Sequence, residues 1–249
     1  MSDTKIIVHW LNYSRSQRIV WLLEELNVPF ELKVYTRTKE FRAPKELKDI
    51  HPLGKSPVIE VVNTTTGESD VIAETGHIFN YILEHYDTNH HLLPADPKEK
   101  QEVDYFLHYT EGTLQPILVM LLVHGFAKKK APFGTRLLMG LLVHGMDSQF
   151  AIPNLKSNLA YLDDILKKQH DKGSKYFVGD KLSAADIILE FPLMINIFQN
   201  KRASDSLGAG DIEALYPHLK QWTEDMKKEP SYSKAFSLVA KYETVTPNI

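Results

Sequence analysis

The chain has 249 residues, 43% hydrophobic and 24% charged, a composition ordinary for a folded protein and too apolar for a disordered one. Its 29 basic and 32 acidic residues give a net charge of −3, which supplies no electrostatic footprint for the phosphates of DNA or RNA, so we do not expect a nucleic-acid ligand. Cysteine is absent, which excludes disulfides, thiolate metal sites, Fe–S clusters and a cysteine nucleophile. Any thiol that this protein handles must therefore belong to a ligand.

The sequence offers no targeting or membrane-spanning signal. The first residues, MSDTK, match neither a signal peptide nor a transit peptide, and the second residue is not the glycine of N-myristoylation. The longest apolar runs, 117–123 and 137–143, fall short of the ~20 residues that cross a bilayer. Lysines 128–130 predict a solvated turn, because lipid-binding clusters carry roughly 4 to 8 cations. We expect a cytoplasmic protein without a membrane span, with peripheral association to an organelle membrane left open.

The first third of the chain alternates strand and helix patterns. A buried strand at 6–8 leads through a polar loop, 12–16, into a helix whose apolar residues recur at helical spacing until Pro29. Residues 30–35 then alternate apolar and polar, which predicts a half-buried strand and completes a βαβ unit. A short helix at 44–50, a hairpin of strands 57–62 and 71–73, and a helix from Glu74 to about Tyr86 follow.

Residues 87–97 are polar and contain two prolines, which is typical of a linker. Beyond them the pattern is helical throughout, with predicted helices at 98–126, 134–150, 154–169, 184–198 and 215–227. The sequence therefore predicts an α/β domain over residues 1–88 and an all-α domain over residues 97–249.

The polar loop before the first helix is a candidate anion site. Backbone amides and the helix dipole at a helix N-terminus stabilise negative charge there, by ~0.3 to 1 kcal/mol for the dipole. A hydroxyl of Ser14, Ser16 or Tyr13 could donate a charge-assisted hydrogen bond to the same anion. The alternative is that Ser14 or Ser16 only caps the helix.

Two further segments can hold a peptide-like ligand. A cis bond between Ser56 and Pro57 would turn the Ser56 backbone N–H and C=O toward an extended peptide. Glu74 and Thr75 stand at the start of a helix, where amides and the Thr75 hydroxyl could hold a carboxylate while Glu74 meets an ammonium group. The alternative at this helix is an N-terminal cap with no ligand.

The order and spacing of these segments resemble the glutathione S-transferase family. The resemblance rests on SRSQR at 14–18 with WLLEEL at 21–26, on FRAP at 41–44, on HPLGKSP at 51–57, on Glu74-Thr75, and on GDKLSAAD at 179–186. It covers roughly residues 6–236 and is nearest to the fungal, theta-like transferases of yeast. The resemblance implies a thioredoxin-like domain followed by a C-terminal helical bundle, usually assembled as a homodimer.

The resemblance places the catalytic serine at Ser14, whose hydroxyl would hold the thiolate of glutathione. Tyr13 and Ser16 carry neighbouring hydroxyls, so the order of candidates is Ser14, Tyr13, Ser16. The rest of the glutathione site is implied at Arg42, Lys55, Ser56, Pro57, Glu74 and Thr75. In this scheme the Ser56 backbone binds the cysteinyl part, Glu74 and Thr75 take the γ-glutamyl group, and Lys55 and Arg42 face the glycyl carboxylate. Ser56 departs from the family, which usually has valine before the cis-proline.

The electrophile would bind between the domains, against the helix at 98–126, where Tyr105, Tyr109 and Met120 are the candidate wall. Ser183 and Asp186 predict a helix cap with a role in folding only. The histidine spacing supports no metal site, and glutathione enters as co-substrate, so no cofactor is expected.

The implied activity is conjugation of glutathione to hydrophobic electrophiles, with reduction of organic hydroperoxides as a second reaction. The alternative is a non-catalytic binding or regulatory protein of the same fold. A thiol oxidoreductase or dehydroascorbate reductase of this fold is excluded, because those enzymes use a cysteine in the first loop.

Overall fold

The computed structural model describes residues 4–200 and 212–243. Its first part is a four-stranded sheet with three helices. The elements are β1 (Thr4–Leu11), α1 (Gln17–Glu25), β2 (Phe30–Tyr35), α2 (Leu47–Ile50), β3 (Val58–Asn63), β4 (Ser69–Ala73) and α3 (Thr75–Tyr86). The second part is helical. Its α-helices are α4 (Pro97–Tyr109), α5 (Gln115–Lys130), α6 (Arg136–Met146), α7 (Ile152–His170), α8 (Ala184–Glu190), α9 (Ile212–Leu215), α10 (Pro217–Met226) and α11 (Pro230–Ala240).

The sheet has the strand order β2-β1-β3-β4. β1 pairs with β2 in parallel, with Val8 opposite Leu32, and with β3 in antiparallel, with Val8 opposite Ile59. β3 and β4 form an antiparallel hairpin. The predicted βαβ unit and hairpin are therefore confirmed. Because β1 lies inside the sheet, residues on both of its faces are buried, which explains its nearly continuous apolar sequence.

Short π-helical segments interrupt the helical half where prolines occur. Gln115 donates its backbone N–H to the Thr110 carbonyl, five residues back, and Pro116 follows it. Ile152 makes the same kind of bond to Asp147, directly before Pro153. A proline ring clashes with the carbonyl four residues earlier, so a widened preceding turn lets the helix continue past it. The segments are Thr110–Leu114, Asp147–Ala151 and Phe191–Phe198.

One buried cluster joins the sheet to the helical half. It contains Trp10 and Trp21 from the first part and Phe106, Leu162 and Trp222 from the second. α1 lies between them, packing on α3 within the first part and on α8 and α11 of the second. The Trp21 indole N–H donates to the Ser231 hydroxyl at 2.9 Å across this boundary. The hydrophobic core therefore continues through the predicted division between residues 88 and 97.

The helix formed by α4, the π segment and α5 runs for 34 residues, Pro97–Lys130, with a mean hydropathy of 1.2 in its most apolar window. Length and composition alone would let it cross a membrane, and 39% of that window is buried inside the protein. Long core helices of globular proteins have the same properties. Since this helix packs against α6, α7 and α8, we interpret it as a structural helix of the helical half.

Candidate active site

Ser14 lies in the turn between β1 and α1, where the sequence predicts an anion site. Its Oγ donates to the Leu11 carbonyl oxygen at 2.7 Å and accepts from the Ser16 backbone N–H at 3.2 Å. The residue is 7% exposed and lines a cleft between the sheet and the helical half. A ligand atom in the cleft can therefore accept a hydrogen bond from the Ser14 hydroxyl once this hydroxyl turns away from Leu11.

Ser16 and Ser56 extend this arrangement into a chain of hydroxyl groups. The Ser16 Oγ lies 2.7 Å from the Ser14 Oγ and 2.5 Å from the Ser56 Oγ. The Ser56 hydroxyl in turn donates to the His9 carbonyl oxygen at 2.9 Å. Ser16 has no exposed surface and does not line the cleft. Its hydroxyl therefore forms hydrogen bonds with Ser14 and Ser56 on the side away from the cleft.

Tyr13 lines the cleft, but its hydroxyl is bound elsewhere. It donates to the backbone carbonyl of Glu243, at the end of the described chain, and the Glu243 carboxylate accepts from the Tyr13 backbone N–H at 3.1 Å. Burial, with the charge of Glu243, raises the pKa of the Tyr13 phenol. Tyr13 has a positive φ of 51°, a conformation uncommon for residues other than glycine, so contacts from outside the loop hold it.

Arg37 is a second residue that holds this loop. Its guanidinium donates to the backbone carbonyls of Asn12 and Tyr13, both at 3.1 Å, and to that of Phe41 at 3.2 Å. The same guanidinium lies 4.6 Å from the centre of the Phe41 ring. Arg37 therefore joins the loop after β2 to the loop that carries Ser14.

Two arginines beside the loop share one carboxylate from the helical half. Arg15 and Arg18 donate to the two oxygens of Glu111 at 2.5 and 2.6 Å, and Arg18 also donates to the Ile188 carbonyl oxygen at 2.7 Å. Burial raises the pKa of the Glu111 carboxyl, but the two arginines outweigh it and hold that pKa below its ordinary value. The Glu111 carboxylate is therefore ionised, and its bonds to the two arginines fix the start of α1 against the π segment at Thr110–Leu114.

Glu190 lies near the same arginine without a hydrogen bond. Neither of its carboxyl oxygens has a partner within the described residues, and the side chain has no exposed surface. Burial raises its pKa to about 8, although the Arg18 charge opposes the shift. Glu190 is therefore protonated at neutral pH.

The cleft has a volume of about 1100 Å³, large enough for a peptide-sized ligand and a second molecule beside it. The sheet side contributes polar groups: Tyr13, Ser14, Arg15, Arg37, Lys55 and Ser56. The helical side is mainly apolar: Leu118, Val119, Leu122 and Phe126 of α5, with Phe191 and Ile195 of the π segment Phe191–Phe198. The Phe41 and Phe126 rings, 6.1 Å apart, join the two sides. A polar ligand and an apolar one can thus bind side by side.

Of the residues predicted to bind glutathione, Lys55 and Ser56 line this cleft. The peptide bond between Ser56 and Pro57 is cis, as the resemblance implies. Arg42, Pro57, Glu74 and Thr75 are not among the cleft-lining residues. Glu74 stands at the N-cap of α3 with a φ of 71° and an exposed side chain, and Thr75 is buried at the first position of that helix.

The structure does not bring Tyr105, Tyr109 or Met120 into the cleft. Tyr105 and Tyr109 stack at 5.6 Å between ring centres and point toward α7, where the Tyr109 hydroxyl donates to Asn158 at 2.6 Å. Met120 is two positions from both Leu118 and Leu122. At ~100° per residue it therefore faces the opposite side of α5.

The sequence did not single out several cleft residues. Arg37 lies after a strand with no motif around it, and its contacts depend on the tertiary fold. Phe41 belongs to the FRAP segment, whose sequence does not indicate a cleft residue. Leu118, Leu122 and Phe126 follow an i, i+4, i+8 spacing that could have indicated one helix face, but α5 is apolar on all sides and the spacing did not stand out.

Within residues 4–200 and 212–243, no group of three or more histidine or acidic side chains is placed to hold a metal ion. The polar side chains on the sheet side of the cleft offer hydroxyl groups and cations.

Comparisons with known proteins identify the family. The glutathione S-transferase N-terminal domain matches residues 14–82, and the C-terminal domain of the same family matches residues 145–234. Glutathione S-transferase 1 of Saccharomyces cerevisiae is 36% identical over 94% of each chain. A crystal structure of a glutathione S-transferase from Actinobacillus pleuropneumoniae is 28% identical, with a TM-score of 0.70 over 94% of this chain and 93% of that one. A glutathione transferase homologue from Lodderomyces elongisporus, solved with two GSH per subunit, shares the fold at 22% identity and a TM-score of 0.72, over 94% of this chain and 98% of that one. The chain therefore belongs to the glutathione S-transferase family, with a thioredoxin-like domain followed by a helical one.

Proposed function

We propose that this glutathione S-transferase activates the thiol of glutathione at Ser14 and transfers the sulfur to hydrophobic electrophiles. The observation that carries the proposal is the position of the Ser14 hydroxyl, at the N-terminus of α1 and on the wall of the cleft. The curated relative with 36% identity is named as a transferase, which favours an enzyme over a non-catalytic binding or regulatory protein.

Ser14 acts as a hydrogen-bond donor and not as a base. A free thiol has a pKa near 8.5, so stabilisation of the thiolate by one to two pKa units, about 1.4 kcal/mol each, leaves it largely ionised at neutral pH. A charge-assisted hydrogen bond from Ser14 and the α1 dipole together are of this size. The thiolate sulfur then attacks the electrophilic carbon, and the leaving group departs with the bonding electrons.

Ser14 is the first candidate because the other two hydroxyls are less available. The Tyr13 hydroxyl donates to Glu243, and Ser16 lies behind Ser14 without exposed surface. We assign the remainder of the glutathione to Lys55 and the Ser56 backbone, with Arg42, Glu74 and Thr75 as further contacts once the ligand is bound. The presence of Lys55 and Ser56 in the cleft supports this placement.

The electrophile occupies the apolar side of the cleft. In place of Tyr105, Tyr109 and Met120 we assign its wall to Leu118, Val119, Leu122, Phe126, Phe191 and Ile195. These side chains offer no charged group and bind by exclusion of water, so a range of apolar compounds fits. A detoxification and stress-response role, in the cytoplasm, is part of the proposal.

Reduction of organic hydroperoxides is the second reaction that the same thiolate supports. The sulfur attacks the terminal peroxide oxygen and releases the alcohol, giving a sulfenic acid of glutathione. A second glutathione then converts this product to glutathione disulfide and water. Conjugation and peroxidase assays on the same preparation show whether the bound thiol reacts in either way. The Leu122→Asp variant tests in both assays whether the apolar wall binds the second substrate.

The decisive experiment measures the thiolate ultraviolet band of bound glutathione against pH in the wild type and in the Ser14→Ala, Tyr13→Phe and Ser16→Ala variants. We expect the wild-type thiol to ionise below its free pKa and only Ser14→Ala to move it back toward 8.5, with a loss of kcat/KM of about tenfold to a hundredfold. If Tyr13→Phe causes the shift and Ser14→Ala does not, the assignment passes to Tyr13. If the wild-type protein binds glutathione without a thiolate band, the chain is a non-catalytic binding protein and the proposal of an enzyme is wrong.

The proposed assembly is a homodimer, as the family resemblance implies. Sedimentation analysis should then give a particle of twice the 28.5 kDa chain mass. A monomer at micromolar concentration contradicts this part of the proposal and leaves the catalytic part intact.

A further inference from the structure

Residues 112–146 form a segment without any acidic side chain, although the whole chain contains 32. The segment carries Lys128, Lys129, Lys130 and Arg136, a charge of +4 with histidines neutral. Because the chain as a whole carries −3, the remaining residues carry −7. The segment therefore has a net positive charge in a chain whose other residues are net negative.

The same segment exposes a row of large apolar side chains. Phe133 is 98% exposed and Leu137 80%, and Leu138, Leu141 and Leu142 are between 54% and 63% exposed. The four leucines lie at positions i, i+1, i+4 and i+5 of α6, so they share the outer face of that helix, while Val143 packs inward at 5% exposure. A contiguous apolar surface of this kind marks an interaction site.

The cations border this apolar face directly. Lys128, Phe133, Arg136 and Leu137 line a shallow depression of about 540 Å³ at the turn between α5 and α6, together with Gly140 and Leu141. The Lys128 side chain passes close to Gly140, whose added Cβ would lie 3.8 Å from the Lys128 Cε. Residues 128–142 thus form a cationic, apolar projection, which we call the α5–α6 tip.

We propose that the α5–α6 tip docks on the surface of an anionic phospholipid bilayer. Phe133 and the outer leucines of α6 would enter the boundary between headgroups and acyl chains, and Lys128 and Arg136 would remain among the headgroup phosphates. The structure brings Arg136 beside Lys128 and exposes a row of leucines next to them, which the three lysines alone do not indicate in the sequence. The tip lies on the membrane and does not cross it.

The charge distribution favours a lipid surface over a second copy of this chain. Two tips brought together face to face would place Lys128 and Arg136 of one copy against the same cations of the other, with no acidic residue of residues 112–146 to compensate. An anionic bilayer attracts the tip and repels the rest of the molecule, whose residues carry a net −7, so it also favours one orientation of the protein.

Vesicle co-sedimentation of the full chain tests the proposal. We expect binding to phosphatidylcholine vesicles that contain phosphatidylserine, weak binding to phosphatidylcholine alone, and release by high salt. Each cation removed should weaken binding about fivefold, so the Lys128→Gln/Arg136→Gln variant should bind about 25-fold less tightly. Leu137→Ser/Leu141→Ser should also release the protein while glutathione conjugation in solution stays unchanged. Leu215→Ser, at a site 50% exposed in α9, is the matched control and should bind as the wild type does.

Three outcomes overturn the proposal. Failure of the wild type to bind anionic vesicles removes the lipid partner. Equal binding by wild type and Leu137→Ser/Leu141→Ser shows that another surface is used. A loss of oligomeric mass in Leu137→Ser/Leu141→Ser, seen by sedimentation without lipid, identifies the face as a contact between copies of the chain. None of these results bears on conjugation activity, which is measured separately.

Discussion

Replacement of Arg18 by methionine tests how far the two halves of the molecule depend on one buried charge. Arg18 has no exposed side-chain surface and donates to Glu111 and to the Ile188 carbonyl. Methionine fills a similar volume but removes the side-chain donor of the Ile188 carbonyl and one of the two cations that bind Glu111. Breaking a buried ion pair from one side costs ~3 to 5 kcal/mol. For a chain of this size that loss corresponds to a fall in melting temperature of roughly 6 to 20 °C.

Arg15 supplies the matched control, because it binds the other oxygen of the same Glu111 carboxylate but is 38% exposed. Its replacement by methionine should cost no more than about 1 kcal/mol, since solvent screens the exposed pair. Urea unfolding followed by tryptophan fluorescence and by far-ultraviolet circular dichroism measures both variants. Equal losses for the two arginines, or a loss below about 1 kcal/mol for Arg18→Met, would refute the argument that burial decides the cost.

Two further predictions concern carboxyl groups. Glu190 has its pKa raised to about 8, so its contribution to stability is complete below pH 4.5 and is lost as the pH rises through 8, at up to roughly 1.4 kcal/mol per pH unit. The urea midpoint of unfolding should therefore drop more between pH 6 and pH 8 in the wild type than in Glu190→Gln. An equal drop in both proteins would contradict the assignment of Glu190 as a buried neutral acid. Glu243→Ala removes the acceptor of the Tyr13 backbone N–H and should raise KM for glutathione about 10-fold to 150-fold, as loss of a hydrogen bond to a charged group implies. Glu224→Ala on α10 should leave KM unchanged, and a KM within twofold of wild type in Glu243→Ala would show that the loop holds its shape alone.

Local patterns predicted the fold because they depend on short stretches of chain. The cap at Ser183 and Asp186 is present, with the Asp186 carboxylate accepting from the Ser183 backbone N–H at 3.0 Å. The same carboxylate also accepts from the Phe177 backbone N–H and the Trp222 indole N–H, both at 3.0 Å. These two partners lie 9 and 36 residues away, and no local pattern indicates them.

The candidate site was predictable only where a single segment carries the chemistry. Ser14 could be found because a strand, a polar loop and a helix follow one another within a few residues. Glu243 could not, because it meets Tyr13 across 230 positions of sequence. The cleft wall on α5 could not be predicted for a different reason, because the sequence of a helix that is apolar on all faces does not indicate which face is buried.

The π segment at Thr110–Leu114 also determines which residues of the long helix meet a substrate. The widened turn there sets the rotation of α5 relative to α4, while α4 keeps its own packing on α8. Removal or insertion of one residue in this segment would turn α5 by ~100° and replace Leu118 and Leu122 in the cleft wall with their neighbours. A length change at this one point would therefore exchange the α5 part of the apolar lining at once, while Phe191 and Ile195 would keep their places.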